Sequence, residues 1–183
     1  SVVMTLAKEM PSIYDCTFTE GFRCAKYEIE PGATGALNND FPFLRYTEVL
    51  MMKAESLLRT GQSGVAAQIV TEVRMRSFDN PADATVTGAE LEADTTVEYG
   101  TLAEDGSIDA PGDQSPVKYG RFLDELGWEF AAEAHRRTDL IRFGVFQTKN
   151  WYNHTPQGDH TIIFPIGLEE LNTNTNLKQN PGY

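Results

Sequence analysis

Apolar residues recur at helical spacing in two stretches of this chain, and the segments around and between them are polar or irregular. From Phe43 to Thr60 one stripe runs Phe43, Tyr46, Leu50, Ala54, Leu57, and a neighbouring one runs Leu44, Met51, Leu58. Together they predict one helix with a wide apolar face, packed on more than one side. Asp40 is its expected N-cap, with Pro42 early in the first turn and Gly61 as the glycine just past the end. Ser63 is then placed to cap a second helix over Gly64–Arg76, with Ala66, Ile69, Val70 and Val73 facing inward. So short a connection makes the two helices antiparallel neighbours.

The helical period returns from Tyr119 to about Phe146. Phe122, Leu123, Leu126, Phe130, Ala131 and Ala134 form the stripe, and Leu140, Ile141 and Phe143 continue it after a break expected at His135–Thr138. Residues 1–42 show no sustained period beyond a short strand expected around Ala25–Ile29. The tail from Trp151 holds one strand-like run, Thr161 to Phe164, stopped by Pro165. The fold class is therefore mainly α: helix pairs of tetratricopeptide size with long irregular loops, although no repeated sequence pattern is visible.

Charge changes this picture in one place. The chain has 183 residues and a formal net charge of −12, and the segment 79–113 carries −10 of it, with ten acids and no Lys or Arg. Its composition reads as a long solvated insertion between better-packed segments. Its acids are of the type that binds Ca²⁺, but their spacing does not match an EF-hand loop, and a plain solvated loop is the expectation. The overall acidity excludes a broad phosphate-neutralising surface, and hence nucleic acid as a partner. No window approaches 18 consecutive apolar residues, so no transmembrane helix is expected. Cys16 and Cys24 are the only cysteines. They fit a hairpin-spanning disulfide or two free thiols equally well.

Candidate chemistry concentrates in one helix. Glu125, Glu129 and Glu133 lie four residues apart, with His135, Arg136, Arg137, Asp139 and Arg142 close behind. Two carboxylates at a suitable separation are what glycoside hydrolysis needs, which makes Glu129 and Glu133 a hydrolase candidate. Glu133, His135 and Asp139 form a weaker metal candidate. The preferred reading is a structural ion network in which Glu133 pairs with Arg136 or Arg137, and Asp139 with Arg142. No nucleophile set, phosphate loop or HExxH motif accompanies these residues, and no cofactor is expected. In the polar tail, Trp151 and Tyr152 are adjacent aromatics that can offer sugar rings a stacking surface, with Tyr99 a third candidate.

Four motifs together point to a known family. Residues 45–57, RYTEVLMMKAESL, resemble a RYAEVLLMYAEAL helix, and residues 73–76, VRMR, resemble the VRxR end of the helix after it. Residues 129–144, EFAAEAHRRTDLIRFG, are similar to ELAFEGHRWFDLIRWG. The ending, IFPIGLEEL at 163–171 and NTNLKQNPGY at 174–183, is similar to LFPIPxxEIxxNPNLxQNPGY. These motifs, in this order, are those of the SusD/RagB family. Ala134 stands where that family usually has Gly, Gly127-Trp128 where it usually has two Arg, and Gly167 where it has Pro. The resemblance implies a SusD-like α/α fold and a surface-exposed outer-membrane lipoprotein that is not an enzyme. Such a protein binds glycan or another nutrient and acts with a SusC-like TonB-dependent transporter. Family members are much longer, so the resemblance also implies that residues 1–183 are the C-terminal portion of a SusD-like domain, partnered by the missing N-terminal part of the same protein. In that reading Glu129, Glu133, Arg136, Arg137, Asp139 and Arg142 are framework residues. A pure helical protein-interaction module is the remaining alternative.

Overall fold

A computed structural model describes residues 12, 21, 26, 27, 30–35 and 40–183. Cys16, Cys24 and most of the strand expected at 25–29 lie outside the described residues. Among the described residues the architecture is mainly helical, with six α-helices and three short strands.

The first helix, α1, spans Tyr46–Arg59. It starts later than the apolar pattern suggests, and Asp40 does not cap it. Arg45 is the N-cap instead, in extended conformation, and makes no side-chain cap bond. Its guanidinium is engaged across the fold, on Glu129 and Glu133, so the chain before Tyr46 stays extended. The C-terminus follows expectation. Gly61 has φ +80°, its N–H donates to Leu58 O at 3.2 Å, and the Gln62 N–H donates to Leu57 O at 2.8 Å. That pair of bonds is a Schellman motif, which needs a left-handed residue where Gly61 stands. The face that α1 buries is Met51, Ala54, Glu55 and Leu58, with Leu50 and Leu57 partly covered. Phe43, at 92% exposed, and Tyr46, at 75%, take no part. Sequence spacing gave the width of the apolar face but not which half of it is covered.

The second helix, α2, spans Ser63–Met75 and buries Ala66, Ala67, Val70 and Val73. Small side chains on this face let it sit close to α1. Ser63 is its first residue, not its cap, and Gln62 holds the cap position without a side-chain bond.

The acidic segment is more ordered than its composition suggests. It forms a 3-10 turn over Pro81–Ala84, a short helix α3 over Gly88–Glu92, and strands β1 (Gly100–Leu102) and β2 (Ile108–Ala110). Ala84, Val86, Leu91 and Tyr99 are buried while most of the segment stays exposed, so it is a largely solvated excursion that carries short regular elements. The few apolar residues of the segment plug a core supplied mainly by its neighbours. Glu90, Asp94, Asp105 and Asp113, four of its ten acids, accept local hydrogen bonds. Thr87 and Glu90 close a capping box on α3. Asp105 accepts from Ser107 N and Oγ at 3.0 and 2.6 Å, shaping the turn before β2. Asp94 accepts from Val117 N at 2.8 Å and ties the middle of the segment to the stretch just before α4.

Helix α4 spans Gly120–Glu129 and buries Phe122, Leu123 and Leu126. Its first residue must be glycine, because a Cβ on Gly120 would lie 2.2 Å from Thr95 N. The break before α5 (Arg136–Arg142) falls at Phe130–His135, a few residues earlier than expected. Ala132 and Ala134 both adopt left-handed conformations there, with φ +62° and +64°. Strand β3 (Trp151–Tyr152) pairs in parallel with β1, giving the sheet order β2-β1-β3.

The expected strand at 161–164 does not form. Asp159–Ile162 is a 3-10 turn, followed by α6 over Leu168–Thr173. The C-terminal residues satisfy this backbone through side chains. Asn180 Nδ2 donates to Phe164 O at 2.7 Å, Tyr183 Oη to Ile163 O at 2.8 Å, and Gln179 exchanges two bonds with Ile166. Two apolar clusters result. One lies among α1, α2, α3 and α4, and the other joins Tyr99, Val117, Leu123, Leu140 and Val145. No helix among the described residues is long and apolar enough to cross a membrane.

Candidate functional site

The ionic residues converge where α1, α2 and the α4–α5 turn meet. Glu129 ends α4 and Glu133 sits in the turn that follows, so both carboxylates face the start of α1. Arg45 Nε donates to Glu133 Oε2 at 2.6 Å, and its Nη2 donates to Glu133 Oε1 at 2.8 Å and Glu129 Oε1 at 2.5 Å. Lys26 closes on Glu133 and Arg76 on Glu129. Farther along, Arg74 from α2 and Arg121 from α4 share Glu125 at 2.5 and 2.6 Å. Arg142 from α5 bridges Glu55 of α1 at 2.7 Å and Asp139 at 2.8 Å. Shared carboxylates thus tie α2 to α4, α5 to α1, and the start of α1 to the end of α4.

Glu129, Glu133, Asp139 and Arg142 each lie in an ion pair, and of the pairings that spacing suggested, Asp139–Arg142 is formed. Arg136 is corrected: it donates to the Leu123 carbonyl at 2.9 Å. A Cβ on Gly127 would meet Arg136 Nη1 at 2.9 Å, so this glycine gives that guanidinium its room. Arg137 is corrected likewise, donating to Thr161 O at 2.7 Å with its guanidinium over Phe146 and Phe164. Their partners are backbone carbonyls because the turn has swung Glu133 away toward Arg45. The cross-fold partners of Arg45, Glu55 and Arg74 lie 88, 87 and 51 residues away, beyond the reach of local spacing.

This arrangement does not suit proton transfer. Burial works to raise the Glu133 carboxyl, but its contacts with Arg45 and Lys26 outweigh that and hold it below the ordinary carboxylate range. A glycosidic general acid needs the opposite shift and an accessible proton, and the Glu133 side chain is only 1% exposed. Asp139 is shifted the other way, raised chiefly by burial against the pull of Arg142. Glu133, His135 and Asp139 do not converge on a metal-binding arrangement. His135 instead lies against Phe130, 3.7 Å from Glu48.

The three aromatic candidates separate. Tyr99 is buried in the second apolar cluster and has no face to offer a ligand. Trp151 is half-buried, with the His154 ring stacked on it at 3.8 Å and Phe146 at 5.8 Å. Tyr152 is exposed, in a left-handed conformation at φ +50°.

Other regions of the described residues are concave. A hollow of about 400 Å³ between α1 and α5 is lined by Glu48, Met51, Glu55, Phe130, His135 and Asp139, among others. On the other side of the ion network, Trp128 borders two further hollows of about 240 and 500 Å³, which share Ser77 and Glu129. In the sequence, Trp128 stands out only where it departs from the motif.

A family model described as the SusD family matches residues 10–183. The chain belongs to the SusD family. It is 28% identical over 154 residues to the starch-binding protein SusD of Bacteroides thetaiotaomicron, a match covering 80% of this chain and 22% of that protein. It is 29% identical over 150 residues to SusD-like protein P25 of Formosa agariphila, covering 76% of this chain and 24% of that protein. The chain thus corresponds to about a quarter of the length of these relatives. The left-handed Ala134 accounts for the glycine that the SusD-family motif usually carries there: the backbone needs φ +64° at that position.

Proposed function

We propose that this protein binds glycan, or another nutrient of similar chemistry, without transforming it, at the bacterial cell surface. In this reading it hands the ligand to a SusC-like TonB-dependent transporter in the outer membrane. The observation that carries the proposal is the SusD-family match over residues 10–183, with a relative named as a starch-binding protein. The Arg-neutralised carboxylates support a binding role over a hydrolytic one, because a sealed, ion-paired Glu133 is unsuited to donating a proton. We further read the chain as the C-terminal portion of a longer SusD-like protein. Phe43, Tyr46, Val49 and Met52 leave one side of α1 uncovered among the described residues, and the remainder of such a protein is the proposed cover.

Affinity capture from a membrane extract of the source bacterium tests the transporter arm, since a β-barrel of the TonB-dependent class is expected to co-purify. Capture of soluble enzymes alone contradicts it. Titration calorimetry against a panel of neutral and acidic polysaccharides tests the ligand arm.

A further inference from the structure

Trp128 sits on the last turn of α4 and is 53% exposed, unusual for so large an apolar surface. It is held in place. The Arg121 guanidinium lies 4.6 Å from its ring centroid, two turns back on the same helix. Phe78, just past α2, is a second partly exposed ring and carries Arg74 at 4.8 Å in the same manner. Both rings line the smaller hollow, and Trp128 also walls the larger one. The two rings thus border a depression made of two hollows that share Ser77, Trp128 and Glu129.

The charge of this depression runs against that of the molecule. Lys26, Arg45 and Arg76 line the larger hollow and share two carboxylates, Glu129 and Glu133, so one positive charge is left over in a chain of net charge −12. Arg76 is the accessible member, with its side chain 51% exposed. Its Nε is used by Val73 O and its Nη2 by Glu129. A guanidinium has five N–H groups, so donors remain for a ligand.

We propose that the depression beside Trp128 is a subsite for an acidic saccharide ring, with the C–H face of the sugar on the indole and its carboxylate or sulfate on Arg76. The proposal rests on the glycan-binding reading above and narrows it to a substrate class. Aromatic faces favour a ring ligand over a bare anion, and the excess guanidinium charge favours an anionic ring over a neutral one. The position also distinguishes this chain, since Trp128 stands where the resembling motif usually has Arg. The family pattern lacks this stacking surface.

The test is calorimetry of the chain with an oligogalacturonide, a malto-oligosaccharide of equal length and a polyglutamate peptide. Tighter binding of the oligogalacturonide, weakened by added salt, is expected. Trp128→Ala should weaken it about tenfold, the loss of one stacked face, and Trp128→Phe should restore most of it. Arg76→Gln should weaken the oligogalacturonide and leave the malto-oligosaccharide unchanged. Because Arg76 is half exposed, this variant decides the matter even where Trp128→Ala fails to fold. If the protein binds a glycan and the Trp128 and Arg76 variants bind it equally well, the subsite is wrong and glycan binding stands. Equal affinity for polyglutamate also overturns the subsite, showing charge attraction without ring stacking. Binding of none of the saccharides overturns both this proposal and the reading beneath it.

Discussion

Replacing Glu133 with Gln removes one charge and almost no volume from the centre of the ion network. Arg45 is left with Glu129, and Lys26 with the carbonyls of Glu129 and Ala131 at 2.7 and 3.1 Å. Breaking a buried ion pair by removing one partner costs about 3–5 kcal/mol. Here the surviving cations are 21% and 30% exposed and regain some water, so the expected loss is about 2–3 kcal/mol. For a chain of this size that lowers the melting temperature by about 5–10 °C. The pH dependence is the sharper test. Burial raises the Glu133 carboxyl, but Arg45 and Lys26 outweigh it and hold the folded value below the unfolded one. Its stabilisation is therefore complete above the ordinary carboxylate range, about pH 4.5, and is lost as pH falls through the lower folded value. Calorimetric melts of wild type and Glu133→Gln at several pH values between 7 and 3 should show a gap that closes toward acid. Asp139, raised chiefly by burial, contributes with the opposite sign in both proteins and cancels from the difference. Melting within a degree of wild type at pH 7, or a gap that stays constant down to pH 3, would refute the network's structural role.

Ala134→Gly should stabilise the fold by about 0.5–1 kcal/mol, because φ +64° strains an L side chain and not glycine; a lower melting temperature contradicts this. Gly120→Ala should cost about 3 kcal/mol in a thermal or denaturant melt, despite the better helix propensity of alanine, since its Cβ would meet the Thr95 backbone. A gain in stability would show that α4 and the acidic segment are not in contact. Asp124 accepts from Thr95 Oγ1 at 2.6 Å, Thr96 N at 2.7 Å and Thr96 Oγ1 at 2.9 Å. Asp124→Ala should therefore release residues 93–117, seen as faster hydrogen exchange and new proteolytic cuts there, with protection of α1 and α2 unchanged.

Local rules were enough for the α1–α2 hairpin. Gly61 ended α1, and the Ala66, Val70 and Val73 stripe is the buried face of α2. They failed where the answer lay elsewhere in the chain. Phe43 and Tyr46 have the right period, but nothing described packs on them. Leu91 and Tyr99 are sparse within their own segment, yet neighbouring helices give them a core. The run at 161–164 has strand composition, but Asn180 and Tyr183 donate to its Phe164 and Ile163 carbonyls, and no described strand pairs with it. The candidate site divides the same way. Glu129 and Glu133 stood out as a pair, whereas Arg45, which neutralises both, lies 84 residues before the first of them. Trp128 was visible only as a mismatch to a motif, and its role emerges from Arg121 and Phe78 placed around it by the fold.

Binding without chemistry is the claim most exposed to a single measurement: titration of the purified chain with a polysaccharide panel, followed by end-group analysis of the recovered ligand. Saturable binding of at least one glycan, with no new reducing ends after prolonged incubation, is the expected result. Cleavage of the bound glycan that disappears in Glu133→Gln, or no binding to any glycan alongside tight binding of peptides, would contradict it.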